Sequence, residues 1–201
     1  CYEAHPIMCQ HQFRRAQEAS RFTDREVRRS SYWSVFAGGA GITYGCYSLW
    51  QMRRPEDDAV AIPESAASTY QGDTIPYWFD ALDYPGAFAI GILRRFIESL
   101  PDWHLRVPDR SLLINPNPSD QRHCGVMRDH QQRWIAVYIP QQQNITLDIS
   151  AFAATGFETG WFDPRYGIMN WLSNDMSETF FLNIDPPASG NDWILVLRAN
   201  S

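Results

Sequence analysis

The clearest periodicity in the chain runs from Pro85 to Leu100, where Ala89, Ile92, Leu93, Phe96, Ile97 and Leu100 return at intervals of three and four residues. That spacing gathers them on one face of an α-helix and leaves Arg94, Arg95 and Glu98 toward water. Pro85 suits a first helical turn, and Pro101 stops the helix. A weaker stripe of Val27, Ser31 and Val35, widened by Phe36, predicts an earlier helix. Its start carries Thr23-Asp24-Arg25-Glu26, the T-x-x-E pattern of a capping box, and its end carries Gly38-Gly39. Beyond the glycines, Ile42-Thr43-Tyr44-Gly45 reads as a short buried parallel strand. Large side chains then crowd its exit: Tyr47, Leu49 and Trp50.

Helix, tight turn and buried strand form the αβ half of a barrel repeat, and barrel folds place chemistry at the carboxyl ends of their strands. The glycines follow a helix and precede a strand. A phosphate cradle needs the reverse order, so they mark a turn. Residues 53–80 are rich in Pro, Asp, Glu, Ser and Ala. They predict a long excursion after the strand, either a cap over the site or disorder, and Tyr77-Trp78-Phe79 near its end argues against disorder throughout. After Pro101 the pattern changes to short strands separated by polar turns: Gly125–Asp129, Trp134–Ile139, Ile145–Ile149, Gly156–Phe162, Thr179–Ile184 and Trp193–Leu197. Asp163-Pro164-Arg165-Tyr166-Gly167 reads as one of the turns. Regular short strands of this kind predict a small antiparallel β-sandwich. The αβ material thus ends near Leu100, a connector runs through Asn117, and a β domain follows.

Composition narrows the chemistry. A length of 201 residues with 44% hydrophobic positions supports one or two domains with a real core. Aromatics reach 14%, with 8 Trp, a surplus that suits flat sugar platforms as well as core filling. The net charge of −6 argues against nucleic acid, which needs a basic face. All 17 basic residues are Arg, which excludes lysine-based Schiff-base and phosphate-loop mechanisms. The 4 cysteines form no CxxC pair and no metal-ligand spacing. No apolar run reaches the about 18 residues of a membrane span. The first 13 residues hold Glu3, His5, Cys9 and His11. Such a cluster allows a metal site or a loop at the top of a barrel, and the absence of i, i+4 histidines favours the loop. The abrupt beginning at Cys1-Tyr2-Glu3 reads as the end of an element in a longer protein.

An ordered series of motifs then resembles a known family. Cys1-Tyr2-Glu3-Ala4-His5-Pro6 comes first, followed by Asp24-x-x-x-Arg28-Arg29-x-x-Tyr32-Trp33-Ser34-Val35. Ala37-Gly38-x-x-Gly41-x-Thr43-Tyr44-Gly45 and Leu49-Trp50-Gln51 come next. Trp78, Ala81-Leu82-Asp83, Pro85-Gly86-Ala87 and Pro108-Asp109-x-Ser111 continue the series. It closes with Trp161-Phe162-Asp163-Pro164-Arg165-x-Gly167 and Asp192-Trp193-Ile194-Leu195-Val196-Leu197. Together these are similar to the C-terminal part of the apiosidase-like glycoside hydrolases and the small β domain that follows their barrel, catalogued as collagen-binding.

The resemblance implies an α/β plus all-β chain. Residues 1–107 would be the C-terminal part of a (β/α)8 TIM barrel and residues 108–201 the β-sandwich. A whole barrel needs about 250 residues, so only its last units fit here. The implied reaction is hydrolysis of plant cell-wall, pectic side chains by a bacterial, periplasmic or extracellular enzyme, with an oligosaccharide or polysaccharide as partner. No cofactor is expected. Two carboxylates do such work, about 5–5.5 Å apart in a retaining enzyme. Cys1-Tyr2-Glu3 matches the last positions of a Gly-Glu-Pro-x-Tyr-Glu motif at the end of the seventh strand. Glu3 is then the nucleophile or a carboxylate beside it, and the general acid lies on an earlier strand outside the chain, so the chain alone is expected to be inactive. His5, Tyr44, Tyr47 and Trp50 are the expected sugar-binding residues, although Tyr44 also reads as interior packing. Ile42 and Cys46-Tyr47 stand where the family often carries a histidine, which leaves the sugar open. The alternative is a non-catalytic carbohydrate-binding or structural β-sandwich, to be favoured by exposed coplanar rings on one face. Trp161 and Trp193 fall within strand patterns and are expected in the core.

Overall fold

A computed structural model describes residues 2–4, 23–46, 49, 52–59, 77–150, 156–172, 180–190 and 192–200. Strand β1 (Tyr2–Ala4) leads to helix α1 (Asp24–Phe36) and then to strand β2 (Ile42–Tyr44). β1 and β2 pair in parallel, with Tyr2 opposite Ile42, Glu3 opposite Thr43 and Ala4 opposite Tyr44. The passage is therefore a βαβ unit, and helix α2 (Pro85–Ser99) follows it. Both helices begin where the sequence marks them. The Thr23 amide donates to the Glu26 carboxylate at 3.0 Å, closing the capping box. Pro85 occupies the first turn of α2. The α2 stripe of Ala89, Ile92, Leu93, Phe96 and Ile97 is buried as its period predicts.

The C-terminal half holds two sheets. The larger has six antiparallel strands in the order β3 (Arg106–Pro108), β4 (Gly125–Asp129), β5 (Trp134–Ile139), β10 (Trp193–Ala199), β7 (Phe157–Asp163) and β8 (Ile168–Leu172). The smaller pairs β6 (Ile145–Asp148) with β9 (Phe181–Ile184). Thus the chain is mostly sheet, with two long helices and one parallel strand pair among its described residues.

The layering departs from a free-standing sandwich. One face of the six-stranded sheet packs on β6 and β9 through Ile135, Val137, Ile139, Leu195 and Leu197. The opposite face packs on α1 and α2, where Trp134, Ala136, Tyr138, Ile194 and Val196 meet Tyr32, Phe36, Leu93 and Phe96. The large sheet is therefore the middle of three layers, and every residue of β5 is buried. Two glycines permit the close fit. A Cβ at Gly125 would fall 2.8 Å from Phe36 Cβ, so β4 reaches α1 only without a side chain there. Gly167, at φ +74°, closes the β7–β8 turn against Ile92.

Two strands were absent from the sequence reading. β3 is three residues at a sheet edge and contains Pro108. β8 is the opposite edge, and Ile168, Asn170 and Trp171 are exposed along it, so no apolar alternation marks it. The Asp163–Gly167 turn is where the sequence placed it, with the Gly167 amide donating to the Asp163 carbonyl at 2.8 Å.

Candidate active site

The carboxyl ends of β1 and β2 lie side by side because the two strands pair in register. That register sets position 3 level with Thr43, an exposed residue. The Glu3 side chain lies outside the described features, and His5, Tyr47 and Trp50 lie outside the described residues. The structure thus brings Glu3 and Tyr44 onto neighbouring strands, one residue apart in register, and leaves the other expected sugar-binding positions undescribed.

Tyr44 sits on the helix side of β2. A Cβ at Gly86 would lie 3.2 Å from Tyr44 Cε2 and 3.5 Å from Val27 Cγ1, so the ring and Val27 both lie close to Gly86. This is packing between the strand and the helices, not the barrel-interior packing that the sequence allowed for Tyr44. Its hydroxyl is enclosed with no hydrogen-bond partner among the described residues. Burial pushes its ionisation well above that of an ordinary tyrosine, with the neighbouring Cys46 and Tyr84 adding to the shift. Thr43, between Ile42 and Tyr44, occupies the opposite face of the strand. The sequence reading passed over Thr43 because a lone threonine in an apolar strand carries no signal beyond β-propensity.

The excursion after β2 is tied together at its feet. The Trp78 amide donates to the Arg53 carbonyl at 3.0 Å. Asp58 receives Arg53 Nη2 at 2.6 Å and the Tyr77 hydroxyl at 2.6 Å, and the Arg53 guanidinium lies 5.3 Å from the Tyr77 ring centre. Its hydrogen bond to Asp58 raises the Tyr77 ionisation. Residues 60–76, which include the middle of this excursion, are outside the described set.

Behind the strands, Arg28 of α1 is buried against Asp192 at the start of β10. Arg28 Nε donates to Asp192 Oδ2 at 2.6 Å and Nη2 to Oδ1 at 2.9 Å. Arg28 Nη1 reaches Asp24 at 3.0 Å, and the Tyr138 hydroxyl donates to Asp192 Oδ2 at 3.2 Å. Burial alone would weaken the hold of Arg28 on its proton. The Asp192 carboxylate outweighs it, and the guanidinium is held more firmly charged than usual. Tyr32 stacks on Tyr138 with centroids 4.8 Å apart, and burial, followed by the charge of Asp192, pushes both phenols well above their ordinary ionisation.

Nothing among the described residues gathers three His, Cys, Asp or Glu side chains as a metal site would, and His5, Cys9 and His11 fall outside them. Described clefts of about 540 Å³ and about 250 Å³ line the base of α1 and the Gly41–Ile42 entry of β2, away from the carboxyl ends of the strands. Trp161 and Trp193, the rings a sugar-binding sandwich face would use, are each 5% exposed. Among the described residues no helix is long and apolar enough to cross a membrane.

Residues 1–104 match the family model "Apiosidase-like, catalytic domain", and residues 107–198 match "Putative collagen-binding domain of a collagenase". A solved structure titled "Glycoside hydrolase" is similar at 25% identity with a TM-score of 0.75, covering 92% of this chain and 39% of its own. A glycoside hydrolase family 5 structure from Bacteroides vulgatus has the same fold at 24% identity and a TM-score of 0.75, covering 98% of this chain and 40% of its own. This chain therefore spans only 39% to 40% of the length of the solved structures it resembles. No curated protein matches it. With the βαβ unit, the second helix and the appended sheets all falling within those matches, the chain belongs to the apiosidase-like glycoside hydrolase family.

Proposed function

We propose that these residues form the closing units of a (β/α)8 glycosidase barrel, joined to a β domain, in an enzyme that hydrolyses sugar side chains of pectic plant cell-wall polysaccharide. The observation that carries this reading is the in-register parallel pairing of β1 with β2, which sets Glu3 at a strand end beside Thr43. Adjacent parallel strands joined by a helix are the repeat of such barrels, and their carboxyl ends carry the catalytic groups. In this reading Glu3 is the nucleophile or the carboxylate next to it. His5, Tyr47 and Trp50 border the sugar, and Tyr44 supports that wall from behind. The general acid comes from an earlier strand, and the enzyme works outside the cytoplasm, where its polymer substrate is found.

Two-carboxylate chemistry needs both groups in one site. The 201 residues alone are therefore expected to be inactive. The test is release of reducing sugar from pectic oligosaccharides and aryl glycosides, by the chain alone and by a longer protein that restores the preceding barrel strands. The longer protein should release sugar and the chain alone should not. Glu3→Gln in the longer protein should lower turnover by at least about 100-fold. Sugar release by the chain alone, or undiminished turnover in Glu3→Gln, would overturn the assignment.

A further inference from the structure

The geometry points to Asp192 as a positioning residue: from the C-terminal half it holds, through Arg28, the first turns of α1 and with them the carboxyl ends of β1 and β2. The link begins at a carboxylate that is 1% exposed and whose two oxygens are both engaged by the Arg28 fork. Tyr138 adds a third hydrogen bond from the middle of the large sheet. A planar guanidinium on a planar carboxylate fixes direction as well as distance, which apolar contact does not. Since Arg28 also bonds Asp24 one turn earlier, the first two turns of α1 are locked to the start of β10.

Those turns carry the next part of the link. Val27, adjacent to Arg28, and the Tyr44 ring both lie against the Gly86 position of α2. Tyr44 is the last residue of β2, and α1 packs on both β1 and β2. In a βαβ unit the helix runs back against its strands, so its first turns lie level with their carboxyl ends. A shift of α1 at Arg28 is thus delivered to Tyr44 and, across the pairing, to the level of Glu3. Among the described residues the hydrogen-bond partners of Asp192 are Arg28 and Tyr138, and Arg28 is the one that carries its hold to the strand ends. The β domain in this arrangement braces the barrel, and the sheet face that a separate binding module would offer is already occupied by α1 and α2.

What the strand end does rests on the glycosidase reading; that Asp192 positions it does not. The test is amide hydrogen exchange in the 201-residue chain. In Asp192→Asn the amides of Thr43, Tyr44 and Gly45 should exchange at least about tenfold faster, while those at the centre of β5 and β10 keep their protection. Unchanged exchange at positions 43–45, or equal acceleration in every element, overturns the inference. If Asp192→Asn does not fold, the variant Arg28→Met/Tyr138→Phe/Asp192→Leu decides. It removes the charges together, as buried pairs tolerate, and should fold with a stability near the parent. Its strand-end amides should still exchange at least about tenfold faster, because apolar packing lacks the direction of the fork. Parental exchange at positions 43–45 in that variant would reduce the pair to a packing role. In the longer protein, Asp192→Asn should lower kcat with little change in KM. A longer wild-type protein that releases no sugar would sink the glycosidase reading and leave the exchange result standing.

Discussion

On the face turned to the helices, β5 and β10 present Trp134, Ala136, Tyr138, Ile194 and Val196. On the other face the same strands present Ile135, Val137, Ile139, Trp193, Leu195 and Leu197 to β6 and β9. The first face mixes aromatic rings with buried polar groups. Phe96 lies 4.6 Å from Phe162 between ring centres, Trp134 Nε1 donates to the Pro101 carbonyl at 2.9 Å, and Asp192 holds Arg28. The second face is mostly aliphatic, joined by Phe157, Trp161 and Trp193, with the Trp193 indole bonded to the Ser189 carbonyl at 2.9 Å. Aliphatic burial is non-directional and scales with area. Buried charges and indole N–H groups have few acceptable geometries. The two faces therefore divide the work: the small-sheet face supplies burial, and the helix face also fixes how the βαβ unit and α2 sit on the β domain.

The comparison is broken most directly at Arg28. Arg28→Ala leaves Asp192 buried without its partner and should cost about 3–5 kcal/mol, read from urea unfolding. A loss below about 1 kcal/mol would mean that the helix face is held by packing alone. Next comes the aliphatic face, where Leu195→Ala should cost about 3 kcal/mol by opening a cavity, whereas Leu195→Met should cost less than about 1.5 kcal/mol. That tolerance of shape at constant volume is what a non-directional face predicts. Gly125→Ala comes third, at about 1–3 kcal/mol, since the new methyl meets Phe36 at 2.8 Å and the seam must open. Thr23→Ala should remove about 1 kcal/mol by deleting the hydroxyl half of the α1 capping box while the Thr23 amide keeps its bond to Glu26, measured as a fall in melting temperature.

The smallest effect is confined to acid. Burial by itself would raise the ionisation of Asp129, but hydrogen bonds from Arg133, the Gln131 amide and His130 outweigh it and hold the carboxyl below its usual range. Asp109 is depressed in the same way, with Ser111 and Arg128 outweighing its desolvation. A carboxyl lowered in the folded state stabilises above its unfolded value of about 3.9, and that stability is lost as pH falls through the folded value. Melting temperature should therefore decline below about pH 4 on account of these groups, and Asp129→Asn should flatten the decline. An unchanged slope in that variant would remove Asp129 from the acid response.

Much of the fold was readable because its signals are local. The capping box at Thr23, the α2 stripe, the stop at Pro101 and the turn at Asp163–Gly167 each depend on residues within a turn or two of one another. The edge strands were not readable, since β8 is exposed on both faces and its identity comes from pairing with β7. The three-layer arrangement did leave a trace. Trp134–Ile139 is apolar at every position, which a strand with one wet face would not be. The expected site residues, Glu3 and the aromatics after β2, rest on resemblance to the family. The register of Glu3 with Thr43 and the helix-side placement of Tyr44 were not, because both depend on how β2 lies against β1, α1 and α2.

The sequence by itself therefore determined the two helices, the central strands and the family, which are written in short-range periodicity, caps, turns and motif order. The tertiary structure alone decided which faces meet and which polar groups pair. Arg28 and Asp192 are separated by 164 positions, and nothing near either one in the chain marks its partner. Their pairing exists because α1 and β10 are brought together by two apolar faces, and the carboxylate buried there is met by the Arg28 fork.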